Sequence, residues 1–177
     1  MVKSGIFVYI FTKGKSIPIM TGFLGEFEVK IDAKGRISLP ANLKKQLSPA
    51  AQEKFVVNRG FEKHLVLYPM DEWRKISEQV NQLNIYVKKN REFVRRFHNG
   101  ATEVELDNVN RVLVPKGLLE YAGVDKDVVL FAYSNRIELW AKEEYDSMIN
   151  DDSEDFADLA EEVMGKAKKN TDTPDVS

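Results

Sequence analysis

The sequence predicts a mainly β protein with α-helices, an α+β chain in which two tandem β-β-α-β-β-α units close one core as a pseudo-symmetric pair, with helices between them. Three observations carry this. "IDAKGRISLP" at residues 31–40 returns as "LDNVNRVLVP" at residues 106–115. Both copies follow a period-2 run of apolar residues, the mark of a half-buried strand. Both also end on a proline that stands where a helix should begin. Two copies are too few for a stacked array, which needs about three units, so they are expected to share one core.

Residues 1–19 have no counterpart in the second copy and are read as an N-terminal extension, with Met20 as the expected natural start. Gly14, Lys15 and Ser16 in this extension are not a phosphate loop, because Tyr9 stands where the first glycine is required. The first repeat spans residues 20–76. "EFEVKID" puts Phe27, Val29 and Ile31 on one strand face, and "DAKG" makes a turn in which Asp32 accepts backbone amides two residues on and Gly35 supplies a positive φ. "RISL" is a second short strand, and Pro40 opens a helix to about Leu47. "KFVVNRG" and "HLVLYP" are two more strands, leading to a closing helix whose acids Asp71 and Glu72 favour its positive end.

Residues 77–100 form a connector read as two helices: Trp73, Ile76, Val80 and Leu83 recur at helical spacing, and Val87, Phe93, Val94 and Phe97 do so again. Lys88, Lys89, Arg91, Arg95 and Arg96 cover the second one, a pattern that more often means a solvated face than a phosphate contact. The second repeat, residues 101–148, repeats the order: "TEVELD", a turn "DNVN" built on Asp107 and Asn110, "RVLV", Pro115, a helix stopped by Gly123, then "DVVLFAY" and "RIELWA". Asparagine is the commonest non-glycine visitor to the left-handed region, so Asn110 can replace Gly35. Turn chemistry thus explains Asp and Gly or Asn, but not the arginine that follows, Arg36 or Arg111. Residues 149–177 read as an acidic, largely disordered tail with one or two helical turns around Phe156, Leu159 and Val163.

Composition narrows the function. The formal charge of −2 divides into a body, residues 1–142, with 23 bases against 16 acids, and an end, residues 143–177, with 3 bases against 12 acids. A positive body suits a polyanionic partner, and the acidic end would temper non-specific binding. There are no cysteines, which excludes disulfides and thiolate chemistry, and His64 and His98 are the only histidines. No acid pair or metal-ligand spacing stands out, so neither an enzyme nor a cofactor is expected. The longest apolar run near the start, Ile6 to Phe11, is far below the ~20 residues that span a bilayer. We therefore expect a cytosolic protein with no membrane anchor.

"FLGEFEVKIDAKGRISLPANL", taken with "TEVELDNVNRVLVPKGLLEYAGVDKDVVLFAYSNRIELWAKEEY", resembles the MraZ family of bacterial transcriptional regulators, associated with the division and cell wall gene cluster. The resemblance covers about residues 20–148 and rests on D-x-x-x-R occurring twice in matched positions. It implies an AbrB-like swapped-hairpin β-barrel, with both units supplied by one chain. It further implies a ring-shaped homo-oligomer, associated with the nucleoid, that binds direct repeats of double-stranded DNA in its own promoter and usually represses it. The DNA contacts carried over are Lys34, Arg36 and Arg111. The second turn departs from the first, with Val109 in place of Lys34 and Asn108 in place of Ala33, and so offers less charge. Two other roles fit the same residues: an Arg36–Asp32 ion pair that locks the turn, compatible with DNA contact, and an assembly or partner-binding protein without DNA, using the basic helix and acidic tail.

Overall fold

The computed structural model describes residues 8–12, 15–19, 22–151 and 155–169. The chain divides into two compact units, Met1–Glu144 and Tyr145–Ser177. In the first, β1 (Val8–Thr12) and β2 (Lys15–Ile19) form an antiparallel hairpin of their own, a pairing the sequence reading lacked. Met20 lies outside the described residues.

The first repeat supplies β3 (Phe23–Lys30), β4 (Arg36–Ser38), α1 (Ala41–Gln46), a 3₁₀ turn (Pro49–Ala51), β5 (Lys54–Arg59) and β6 (Leu65–Pro69). The helices α2 (Met70–Asn81) and α3 (Lys88–His98) follow, as the helical spacings predicted. The second repeat supplies β7 (Thr102–Glu105), β8 (Arg111–Leu113), α4 (Lys116–Ala122), β9 (Asp127–Ser134) and β10 (Arg136–Ala141). Pro40 and Pro115 stand one residue before their helices, as N-caps, where a missing amide costs nothing. Gly123 ends α4 at φ 64°, the left-handed stop predicted for it.

The repeats exchange strands. One six-stranded antiparallel sheet runs β3-β9-β10-β6-β5-β7, so the first strand of each repeat pairs with the other repeat: β3 with β9 from Phe23↔Ser134 to Lys30↔Asp127, and β7 with β5 from Val57↔Thr102 to Lys54↔Glu105. β4 and β8 form a separate two-stranded ribbon in which Ile37 faces Val112, its own equivalent 75 residues on. The pseudo-twofold axis passes through that pair. The stretch 31–40 is therefore not a self-contained hairpin, since β3 and β4 meet only at the Ile31↔Ile37 bridge.

Strand exchange explains the single core. Ile31, Ile37, Leu39 and Leu43 are buried together with their equivalents Leu106, Val112, Val114 and Leu118, beside Leu65, Leu67, Ile137 and Leu139 of the central strands. Full burial of such a side chain is worth roughly 1.5–3 kcal/mol. The opposite face of the sheet is covered too. Val56, Val66 and Tyr68 are buried there, Tyr68 lies 5.8 Å from Trp73 of α2, and Trp73 stacks on Phe97 of α3 at 5.4 Å. This is why all five residues of β6 are buried.

α5 (Lys142–Ile149) crosses into the second unit, which also holds α6 (Phe156–Lys169). α6 is fourteen residues long, longer than the one or two turns expected around Phe156, Leu159 and Val163. Asp155 starts it by accepting the amides of Ala157 (2.8 Å) and Asp158 (3.4 Å), a side-chain N-cap. Among the described residues no helix is long and apolar enough to cross a membrane.

Candidate nucleic-acid interface

The two D-x-x-x-R turns are built alike from the backbone outward. In the first, the Gly35 amide donates to Asp32 O at 2.9 Å and the Asp32 amide to Arg36 O at 3.0 Å; in the second, Asn110 donates to Asp107 O at 3.0 Å and Asp107 to Arg111 O at 2.8 Å. Each aspartate then divides its two oxygens. Asp32 Oδ1 accepts the amides of Lys34 and Arg36, both at 2.9 Å, and Asp107 Oδ1 accepts those of Val109 at 3.0 Å and Arg111 at 2.9 Å. Oδ2 takes the guanidinium: Arg36 Nε and Nη2 both at 2.6 Å, and Arg111 Nε and Nη2 both at 2.9 Å. The amides of Arg36 and Arg111, and then their guanidinium groups, hold both carboxyls below the usual carboxylate range against an opposing desolvation effect.

The arginine that turn chemistry left unexplained therefore does have a use in the fold, the lock on Asp32 or Asp107. That lock consumes one edge of the guanidinium. Among the described residues Nη1 of each arginine has no acceptor, and the side chains stay 30% and 31% exposed. Arginine carries five donors in a planar fork, so one edge can bind the aspartate while another faces outward.

The ribbon aims these outward edges. Ile37 and Val112 point into the core, so Arg36 and Ser38 on β4, and Arg111 and Leu113 on β8, share the other face. The register pairs Arg36 with Leu113 and Ser38 with Arg111, which sets the two arginines diagonally about the pseudo-twofold. Lys34 is exposed at the tip of the first turn; at the matching tip Val109 is 55% exposed, and Leu113 is 56% exposed.

The inequality of the turns has a structural cause in the opposite repeat. A Cβ on Gly35, whose φ is +83°, would come within 3.1 Å of Val114 O and 3.3 Å of Leu119 Cδ1. Asn110, at φ 61°, has Lys44 of α1 where Gly35 has Leu119, and Lys44 Nζ donates to Asn110 Oδ1. Lys44 also pairs with Glu53 at 2.9 Å. A side chain at 110 is thus bound, whereas at 35 it would be crowded on a backbone already at positive φ.

A family profile described as "MraZ protein, putative antitoxin-like" matches the chain twice, over residues 23–96 and 97–166. The chain belongs to the MraZ family. It is 48% identical over 147 residues to a protein of Christiangramia forsetii named "Transcriptional regulator MraZ", covering 82% of this chain and 95% of that one. A protein of the same name from Flavobacterium psychrophilum is also 48% identical over 147 residues, covering 82% and 94%. The MraZ protein of Natranaerobius thermophilus is 38% identical over 142 residues, covering 80% of this chain and 96% of its own.

Within this MraZ chain, the residues singled out from the sequence, Asp32, Lys34, Gly35 and Arg36 with Asp107, Asn110 and Arg111, come together on the two turns flanking the β4–β8 ribbon. Sequence reasoning missed Ser38, Leu113 and Lys44. Alternation along "RISL" and "RVLV" could have marked Ser38 and Leu113 as outward. No local pattern could have found Lys44, whose partner Asn110 lies 66 residues away. The basic helix is in part structural: Arg91 Nη1 donates to the carbonyls of Ile85 at 2.8 Å and Tyr86 at 3.0 Å, fastening the loop before α3.

Proposed function

We propose that this protein is a sequence-specific DNA-binding regulator of transcription, a repressor of the division and cell wall gene cluster that binds direct repeats in its own promoter. The observation that carries the reading is the outward face of the β4–β8 ribbon, with Arg36 and Arg111 set diagonally about the pseudo-twofold and Lys34 at one tip. A two-stranded ribbon fits the major groove of B-DNA, where an arginine fork can grip guanine O6 and N7 or a phosphate. The names of the relatives support the regulatory role. Lys34 and Arg36 contribute more than Arg111, because the first tip is charged and the second is apolar. Asp32 and Asp107 aim the guanidinium groups, and Gly35 and Asn110 hold the turns. A ring of identical chains on successive repeats makes each later contact intramolecular, so a weak ribbon binds with high avidity. The site of action is the cytoplasm, on the nucleoid.

The test is gel retardation of the chain's own upstream DNA. Arg36→Ala is expected to abolish retardation with the oligomer intact. Because Arg36 also braces its turn, Ser38→Glu serves as the second variant: its exposed side chain faces Arg111 across the ribbon and would set a negative charge toward the DNA. Loss of retardation with unchanged thermal unfolding is expected, and normal binding by both variants would refute the assignment.

A further inference from the structure

Four buried side-chain polar atoms lack a hydrogen-bond partner among the described residues, and three of them, Asn58 Oδ1, Arg59 Nε and His64 Nδ1, belong to residues lining one cavity of about 650 Å³. Unpaired buried donors and acceptors are costly and rare, so three around one space call for an occupant. The cavity lies at the end of β5, and no residue of the D-x-x-x-R turns lines it. The end of β5, the turn into β6, the last turns of α3, Tyr121 of α4 and the β9–β10 hairpin enclose it. Asn58 and His64 are 1% and 3% exposed, and they are the two buried polar residues among those described. Asn58 Nδ2 donates to Phe97 O, and His64 stacks on Trp140 at 4.1 Å, so both are fixed with a polar atom unspent.

The charge of the walls indicates what the occupant is. Arg59, Arg96 and Arg136 line the cavity, and no carboxylate pairs with any of them among the described residues. Arg59 rests on the Tyr121 ring at 4.7 Å, and Arg136 lies 5.5 Å from the Tyr68 ring and 5.9 Å from that of Tyr133. A guanidinium held by a ring face is positioned for a ligand; Arg136 also donates from Nε to Asn135 Oδ1 at 3.2 Å and from Nη1 to Tyr68 Oη at 3.5 Å, which leaves its Nη2 for an anion. Of the two acids, Glu138 is already engaged, accepting from Tyr133 Oη at 2.7 Å and Trp140 Nε1 at 2.9 Å. Glu62 lies 3.6 Å from His64. Three arginines against one uncommitted carboxylate favour an anion, and the volume is within the roughly 300–1,000 Å³ of small-molecule sites.

We propose that this cavity binds a small phosphate-bearing molecule, its phosphate held by Arg59, Arg96 and Arg136 and its body against Phe93 and Tyr121. The proposal is independent of the DNA-binding reading. It is tested by isothermal titration of the full-length protein with inorganic pyrophosphate and, separately, with ADP. At least one probe is expected to saturate a single site per chain, in the wild type and equally in the Arg36→Ala/Arg111→Ala variant. Arg59→Gln and Arg136→Gln are each expected to weaken binding at least tenfold. Arg96→Gln, an exposed helix position that folding does not need, is expected to weaken it severalfold. The proposal is overturned if neither probe binds, if the Arg59 and Arg96 variants bind like the wild type, or if duplex DNA displaces the probe. It is equally overturned if Arg59→Gln changes the oligomeric state while no probe binds, which would make the cavity a contact between copies.

Discussion

Each D-x-x-x-R turn spends one edge of its guanidinium on its own aspartate and leaves another for the proposed DNA contact. The aspartate's Oδ1 is filled by backbone amides and its Oδ2 by the arginine, so the turn is closed by contacts within the chain itself. Gly35 is the least replaceable residue of the pair of turns. Gly35→Ala should destabilise the fold by about 1–2 kcal/mol through its left-handed backbone alone, with a further cost against Val114 and Leu119, read as a lower midpoint in urea unfolding. Asn110→Gly should be milder, because it loses only the Lys44 contact. Equal effects would contradict the explanation of why the two turns differ. Aspartate at the start and glycine or asparagine at the fourth position were legible in the sequence, since Asx hydrogen bonds and positive φ are local properties. The partners that choose between glycine and asparagine, Leu119 and Lys44, were not legible, because they arrive from the other repeat.

Strands and helices were legible for the same reason of locality: alternation marked β3 and β7, and the prolines marked the starts of α1 and α4. Pairing was not. "IDAKGRISLP" has every feature of a hairpin, yet β3 leaves its own repeat to pair with β9 and β7 pairs with β5. Periodicity fixes which face of a strand is apolar, not which neighbour covers it. The length of α6 was not legible, because Asp155, which caps it, stands in a run of acids whose composition points to a solvated segment. Strand exchange predicts that neither repeat folds as a lone monomer. Residues 22–81 alone lack the partners of β3 and β4 and expose Ile31, Ile37, Leu39 and Leu43. By circular dichroism with analytical ultracentrifugation, that fragment should be either unfolded or a folded dimer that pairs with itself. A folded monomer would contradict the topology.

At the scale of the molecule, the charge distribution joins stability to function. Burial pushes the His64 imidazole below its ordinary 6.5 against the opposing pull of Glu138 and Glu62. The unfolded chain therefore takes up a proton below about pH 6.5 that the folded chain resists, and stability falls as pH drops through that window. A second loss follows in stronger acid. Asp32 and Asp107 have depressed folded-state pKa values, so their contribution is present above their ordinary 3.8 and is lost as pH falls through the lower folded values. Urea unfolding across pH should show both steps, and Asp32→Asn with Asp107→Asn should remove the second only. The positive body and acidic end, legible from composition, bear on the proposed DNA contact. Each phosphate neutralised adds about 0.9 to the steepness of log affinity against log salt. The most direct measurement is therefore fluorescence anisotropy with the chain's own upstream duplex over a salt series, comparing the wild type with Arg36→Ala/Arg111→Ala. We predict a steep slope for the wild type and, for the variant, a loss of binding in which any residual slope is shallower; equal affinity and equal slope would contradict the assignment of the β4–β8 ribbon as the DNA-facing surface.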